Sequence, residues 1–290
     1  MILTVFSLYS VVSFNLCGDG GELSIGEQCV CFADFQCKGS TCYGPEDHKS
    51  GWLLHQCANC ACVPLHSDAD RLHHWDSEFK TWQKVGGRES SSGVGSALSS
   101  TTNTIQTLKT VIKDYAVASM VDIPCGDMNW MSVAMRNNPE IYNLKYKGID
   151  IAPSLINRNQ EKFSGPLWKN VSFATLDIVR NPLQDKADLV LNRDMLFHLV
   201  PENGMRALQN IAQSGSHYLL SSYFPESKST KPEMIDLGAR FYRINLCRTP
   251  FNLPPPISIF PEVENGKYLG LWDLWDARVR KALFKTSPLM

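Results

Sequence analysis

The chain lacks an excess of charge of either sign: 28 Lys and Arg stand against 29 Asp and Glu, a formal net charge of −1 over 290 residues. That excludes the basic field of a nucleic-acid binder and the polybasic tether of a membrane-surface protein. It also lacks an apolar run of bilayer-spanning length. The stretch Ile2–Phe14 (ILTVFSLYSVVSF) is too short to cross as a helix, so no stable membrane span is expected. No Lys or Arg precedes that stretch, although its length and the small-residue site after Ser13 match a secretory leader; residues 1–14 are read as a signal peptide. Internal repeats are missing as well, which excludes solenoids and propellers.

Cysteine is abundant, but only at one end. Cys17, Cys29, Cys31, Cys37, Cys42, Cys57, Cys60 and Cys62 crowd the first segment, while Cys125 and Cys247 stand alone downstream. An even, dense set directly after a leader reads as disulfides formed in an oxidising compartment. Zinc is the rival, since Cys57-Ala-Asn-Cys60 has ligand spacing and His48, His55 and His66 lie nearby; the second pair has no matching spacing, and disulfides are favoured. Residues 15–66 form this cysteine-rich segment, and no metal is expected elsewhere. Asn170-Val171-Ser172 is an N-glycosylation sequon, usable only in the secretory pathway.

Residues 67–290 read as one larger domain with a helical extension at its start. Ser67 and Asp70 suit a helix cap, and Leu72, Trp75, Phe79 and Trp82 follow at helical spacing. Gly86–Ser100 has the composition of a flexible linker. A helix is expected from Thr102–Thr104 onward, with Ile105, Leu108, Val111, Ile112 and Tyr115 on one face. From Ala118 apolar runs alternate with helical segments: Met120–Ile123, Tyr146–Ile151, Val171–Leu176, Asp188–Leu191 and Tyr218–Ser221 are strands, and Pro153–Phe163 and Pro201–Gln213 helices. This predicts an α/β fold with a doubly wound, mostly parallel sheet. The pieces RFYRINL and KYLGLWDL suit a closing antiparallel pair at one edge.

In such a sheet ligands sit beyond the carboxyl ends of the strands, where strand order reverses. The first strand ends at Asp122-Ile123 and runs into Pro124-Cys125-Gly126-Asp127, where Gly126 lets the backbone approach a ligand. The second strand ends in Gly148-Ile149-Asp150, an acid placed to accept from ribose hydroxyls. Asp177 ends the third. Alone, each is a turn glycine or a helix cap; in this order they describe a nucleoside pocket.

Here the chain resembles class I S-adenosylmethionine-dependent methyltransferases, through DIPCGDMNWM, GIDI, LDI and DLVLNRDMLFHL in the expected order. It is particularly similar to a group with a D-x-P-C-G-D loop and an R-D-x-x-x-H-L segment. The resemblance covers about Gly86 to Leu274. It implies a Rossmann-like seven-stranded sheet with an antiparallel final strand, and S-adenosyl-L-methionine as cofactor. Asp122, Pro124, Cys125, Gly126 and Asp127 would form the cofactor loop, Asp150 would hold the ribose, Asp177 would lie near the adenine amino group and Asn192 would face the pocket. Pro124 and Met128 stand where the usual loop has glycines. Composition reads Glu89–Ser96 as an idle linker, whereas the resemblance implies a cover for the cofactor. Cys125 has no neighbouring histidine and reads as a small residue packed beneath the loop rather than a nucleophile.

The lip of the fourth strand carries Asn192, Arg193 and Asp194, with His198 four residues on. An Asp194–His198 pair is the candidate for deprotonating a hydroxyl acceptor; the alternative has Asp194 capping a turn while His198 packs under the sheet edge. Arg193 is read as pairing locally. Trp130, Arg243, Asn245, Phe251 and Trp272 are either acceptor-lining or core. The Asn-Pro-Pro-aromatic signature of amide and adenine methyltransferases is absent, which argues against an amino acceptor. With the leader, this points to a glycan or other hydroxyl-bearing acceptor in the Golgi or ER lumen or outside the cell. A protein or small-molecule methyltransferase, and a secreted binding module without turnover, are the alternatives.

Overall fold

The computed structural model describes residues 36–38, 41–43, 55–58, 61–64, 75–77, 80, 89–199, 201–228, 242–263 and 266–284, with only the backbone described for 36–64. The expected leader and the disulfides of the cysteine-rich segment lie outside the described residues. Within that segment, β1 (Gln36–Lys38), β2 (Thr41–Tyr43), β3 (His55–Ala58) and β4 (Ala61–Pro64) pair antiparallel in sequence order. These strands belong to one compact unit, and the other described residues to a second.

In the second unit residues 75–77 and 80 are helical, and after the 3-10 turn Val94–Ser96 comes α1 (Leu98–Asp114), which buries Thr101, Thr104, Leu108, Val111 and Ile112 along one face. This helix starts earlier than its apolar spacing indicates, because Glu89 Oε1 accepts the Leu98 N–H at 3.0 Å and satisfies one of the open donors of the first turn. Then follow β5 (Ser119–Asp122), α2 (Asn129–Asn137), α3 (Pro139–Tyr142), β6 (Lys145–Asp150), α4 (Pro153–Lys162) and β7 (Val171–Thr175). The chain continues through β8 (Leu189–Asn192), α5 (Pro201–Gln213), β9 (Tyr218–Tyr223), β10 (Ser258–Val263), β11 (Lys267–Asp273) and α6 (Ala277–Phe284).

Seven of these strands form one sheet in the order β7-β6-β5-β8-β9-β11-β10. The five strands β5 to β9 run parallel, and β11 runs antiparallel to both β9 and β10. The expected α/β architecture is therefore present, with its antiparallel strand in the hairpin that closes one edge. Central β8 contributes Leu189, Val190 and Leu191, all fully buried, as expected for a parallel strand covered on both faces.

One strand differs from expectation. The described part of the sequence RFYRINL, Tyr242–Leu246, is not in the sheet. Its described residues pair backbone to backbone with loops, Tyr242 N–H to the Phe197 carbonyl at 3.2 Å and Phe224 N–H to the Ile244 carbonyl at 2.7 Å. The partner of β11 is instead β10, SIFPEV, whose Pro261 is tolerated because this is the outermost strand.

Strand order reverses between β5 and β8. From β5 the chain moves outward through β6 and β7, then returns to β8 on the other side of β5. The crevice of the fold therefore opens above the carboxyl ends of β5 and β8.

Candidate functional site

Two ties fix the mouth of that crevice. Ile123 N–H donates to the Leu191 carbonyl at 2.9 Å, and Asn192 Nδ2 donates to the Ile123 carbonyl at 2.7 Å. Asn192 is buried, and its Oδ1 accepts from Ser221 Oγ at 3.3 Å. It thus sits at the carboxyl end of β8 and clamps the two switch strands together.

The loop after β5 is shaped by glycine. Gly126 has φ +56°, and a Cβ placed there would lie 2.5 Å from Ser92 Oγ. Its N–H donates to Asp150 Oδ2 at 3.1 Å, so the acid after β6 lies directly beside the glycine of the loop after β5. The Ala152 N–H reaches the other oxygen, Oδ1, at 3.1 Å. Asn159 of α4 donates from Nδ2 to the Gly126 carbonyl at 2.8 Å, while its Oδ1 is buried without a hydrogen-bond partner. Gly148, next to the Asp150 turn, is also required: a Cβ there would meet the Phe173 ring at 2.8 Å and Cys125 Sγ at 3.0 Å.

The acids here are unusually reluctant to ionise. Burial pushes the Asp122 carboxyl up to about 7, against the opposing effects of the Tyr146 hydroxyl, which donates to Oδ2 at 2.7 Å, and the Arg193 charge. Burial likewise raises Asp150 to about 6, although the Ala152 and Gly126 N–H groups favour its charged form. A cationic ligand placed between them would offset both penalties. Asp177 is buried after β7, and its Oδ1 accepts the Val179 N–H at 3.0 Å, closing the turn that follows.

Cys125 is a buried thiol. Its N–H is tied to the Ile149 carbonyl at 2.8 Å, and burial, then the Asp150 and Asp122 charges, hold its pKa well above the ordinary thiol value. A nucleophile needs the opposite. The reading of Cys125 as packing beneath the loop agrees with this environment.

Asp127, in the same loop, is held by the serines that precede α1. Its carboxylate accepts from Ser90 Oγ at 3.0 Å, from the Ser91 N–H at 2.7 Å and from Ser91 Oγ at 2.9 Å. Its own N–H donates to Ser92 Oγ at 2.8 Å. Composition reads these serines as a linker; in the structure they strap the loop.

On the other side of the crevice, Asp194 has φ +56° and is engaged by Lys267 Nζ at 2.9 Å, Arg193 Nη1 at 3.3 Å and Ser222 Oγ at 3.1 Å. Burial acts to raise its pKa, but Arg193 and Lys267 outweigh it and hold the carboxylate below the usual range. Arg193 pairs with fully buried Glu262, Nε to Oε1 at 2.6 Å, and lies over the Trp130 ring at 5.7 Å. Glu262 and Lys267, from the β10–β11 hairpin, are site residues that sequence reasoning missed; no local pattern ties them to Arg193 and Asp194. His198 packs edge-on against Phe197 at 4.7 Å and Trp75 at 6.2 Å between ring centres. It lies close enough for its charge to add to the lowering of Asp194. Trp130, Asn245, Phe251 and Trp272 are buried, which favours the core reading of those four.

No protein-family profile matches the chain, and no curated protein matches it. Among solved structures, PigF with SAH aligns at 13% identity over 72% of this chain and 62% of that one, TM-score 0.47. A magnesium protoporphyrin IX methyltransferase from Synechocystis PCC 6803 with bound SAM aligns at 15% identity over 70% of this chain and 95% of that one, TM-score 0.46. The methyltransferase domain of a bacterial Hen1 aligns at 12% identity over 60% of this chain and 99% of that one, TM-score 0.45. The chain thus spans less than two thirds of PigF.

Proposed function

We propose that the chain is an S-adenosyl-L-methionine-dependent methyltransferase that methylates a hydroxyl group, with a glycan of the secretory pathway as acceptor. The observation that carries the reading is the direct contact of Asp150 with the Gly126 N–H, beside the switch crevice. The donor set fits an adenosyl cofactor. A turn glycine in the left-handed region, an acid after β6 and an acid after β7 are the groups a nucleoside needs in this kind of fold.

When bound, the cofactor supplies a methyl group activated by a sulfonium. The chain's part is alignment and charge. Asp150 would accept from the ribose hydroxyls with the lone pairs that Gly126 and Ala152 leave open. Asp177 and its turn would hold the adenine end, and the loop Asp122, Pro124, Cys125 and Gly126 would support the middle, with Asn192 keeping β8 in register. Asp122 and Asp150 favour a cation over a neutral ligand, because burial has left their charges poorly solvated.

A hydroxyl acceptor must lose its proton during attack. His198 is the group assigned to take it. Asp194, kept ionised by Arg193 and Lys267, provides the negative field that stabilises the resulting imidazolium. The glycan assignment is supported by the leader-like start and the missing amine-methylation signature.

Purified protein incubated with radiolabelled cofactor and a panel of glycans tests this. Label on carbohydrate is expected. Label only on polypeptide or on small metabolites would replace the acceptor class, and no transfer from folded protein that also fails to bind S-adenosylhomocysteine would leave a binding module.

A further inference from the structure

Four charged side chains meet beside the end of β8, and two of them come from the hairpin that closes the sheet. Glu262 lies near the end of β10 and Lys267 opens β11. Strand pairing shows how both reach the site. Pro261 pairs with Tyr268 and Val263 with Lys267, so Glu262 is an extra residue in the ladder, a bulge that re-aims its side chain. Lys267 Nζ reaches Asp194 Oδ1 at 2.9 Å and Oδ2 at 3.1 Å, and Glu262 Oε1 at 3.2 Å. Arg193 makes a matching set of contacts, Nη1 to Asp194 Oδ2 at 3.3 Å and Nε to Glu262 Oε1 at 2.6 Å. Arg193, Glu262 and Lys267 are all buried.

Two cations thus balance two carboxylates, and removing Lys267 would leave one negative charge in excess close to His198. Asp194 sits at φ +56°, a left-handed backbone that resists a side chain, and Lys267, Arg193 and Ser222 hold it there. A carboxylate fixed beside an imidazole favours the protonated ring, yet a base must be unprotonated before it can accept. An Asp–His pair alone would therefore drift toward an imidazolium that cannot act, and the lysine opposes that drift. The remaining charges on the elements around His198 are paired or lie outside. Asp76, next to Trp75, is matched by Lys80 at 2.6 Å, and Glu202 and Arg206 on α5 are exposed. Arg243 lies over the ring of Phe224, which packs on Phe197.

We propose that Lys267 is a positioning residue for proton removal: it fixes Asp194 and cancels enough of its charge that the His198 imidazole stays neutral and able to take the proton of an acceptor hydroxyl. The proposal rests on the hydroxyl-methylation reading and adds to it the residue that sets the strength of the base. In this role Lys267 acts through Asp194.

NMR titration of the His198 ring in the folded full chain, assigned among the seven histidines by His198→Gln, reads the effect without acceptor or cofactor. Lys267→Met should move the His198 midpoint up by about one pH unit, while Lys267→Arg, which keeps the charge, should leave it in place. Glu262→Gln removes a negative charge and should move the midpoint down. Opposite shifts separate charge from simple disruption, and Glu262→Gln decides the question if Lys267→Met does not fold. On a glycan labelled in the transfer assay, the pH below which transfer fails should rise in Lys267→Met by the same interval as the midpoint. A midpoint that stays put, or that moves the same way in Lys267→Met and Glu262→Gln, would overturn the proposal. Midpoints that shift as stated in a protein that labels no glycan would overturn the acceptor reading alone and leave the charge relation standing.

Discussion

Replacing Asp122 with Asn should change stability in a way that depends on pH. Asp122 is only 2% exposed, and burial lifts its carboxyl to about 7, against about 3.9 in an unfolded chain. A carboxyl with a raised native pKa binds its proton more tightly in the folded state, so its contribution is complete at low pH and is lost as pH rises through about 7. The full shift of about three units corresponds to about 4 kcal/mol, and about 2–3 kcal/mol of it develops between about pH 5 and about pH 8. Asn does not titrate and keeps a carbonyl oxygen for the Tyr146 hydroxyl, which now donates at 2.7 Å. The variant carries a fixed offset from its unpartnered amide N–H groups, of about 1–3 kcal/mol. That offset cancels when two pH values are compared. Urea unfolding of wild type and Asp122→Asn across this range should therefore show the variant gaining about 2–3 kcal/mol relative to wild type as pH rises. A difference that stays constant with pH would refute the claim that Asp122 is held in its reluctant, buried state.

Gly126→Ala should destabilise the fold by about 1–3 kcal/mol, because the left-handed backbone opposes a side chain and the new Cβ would press on Ser92 Oγ; denaturant unfolding measures it, and an unchanged midpoint would contradict the loop geometry. Cys125→Ala should keep S-adenosylhomocysteine binding and lose about 1 kcal/mol of stability, while the wild-type thiol should resist iodoacetamide in the native state; rapid native alkylation of Cys125 would show that it is neither buried nor protonated. Asp150→Asn should weaken S-adenosylhomocysteine binding by about ten-fold or more in calorimetry, since a charged acceptor is replaced by a half-strength one. Wild-type affinity should also fall as pH drops through about 6, where Asp150 takes up its proton; a flat profile from about pH 5 to about pH 8 would remove Asp150 from the site.

The parallel half of the sheet could be read in advance because its strands are short apolar runs, three of which end in an acid or amide. Asp122, Asp150 and Asn192 close β5, β6 and β8 where the sequence placed them. The antiparallel edge was harder. In SIFPEV a proline and an acid interrupt the apolar pattern, and the acid is explained only by Arg193, 69 residues away in sequence and 2.6 Å away in space. RFYRINL alternates like a strand, yet its described residues, Tyr242–Leu246, pair with loops. The serines at 90–92 have the composition of a linker, and only a carboxylate some 37 residues downstream distinguishes a strap from a tether. Sequence proximity pairs Asp194 with His198, whereas its shortest ion pair, to Lys267 at 2.9 Å, comes from the far hairpin. Local periodicity reports burial and little else; the charged groups of this site find each other through topology.

The most direct test of the account is a crystal structure of the full chain grown with S-adenosylhomocysteine. It should show the nucleoside in the crevice above β5 and β8, with the ribose hydroxyls about 2.6–3.2 Å from the Asp150 carboxylate. An empty crevice at saturating ligand, or a nucleoside bound away from Asp150, would contradict it.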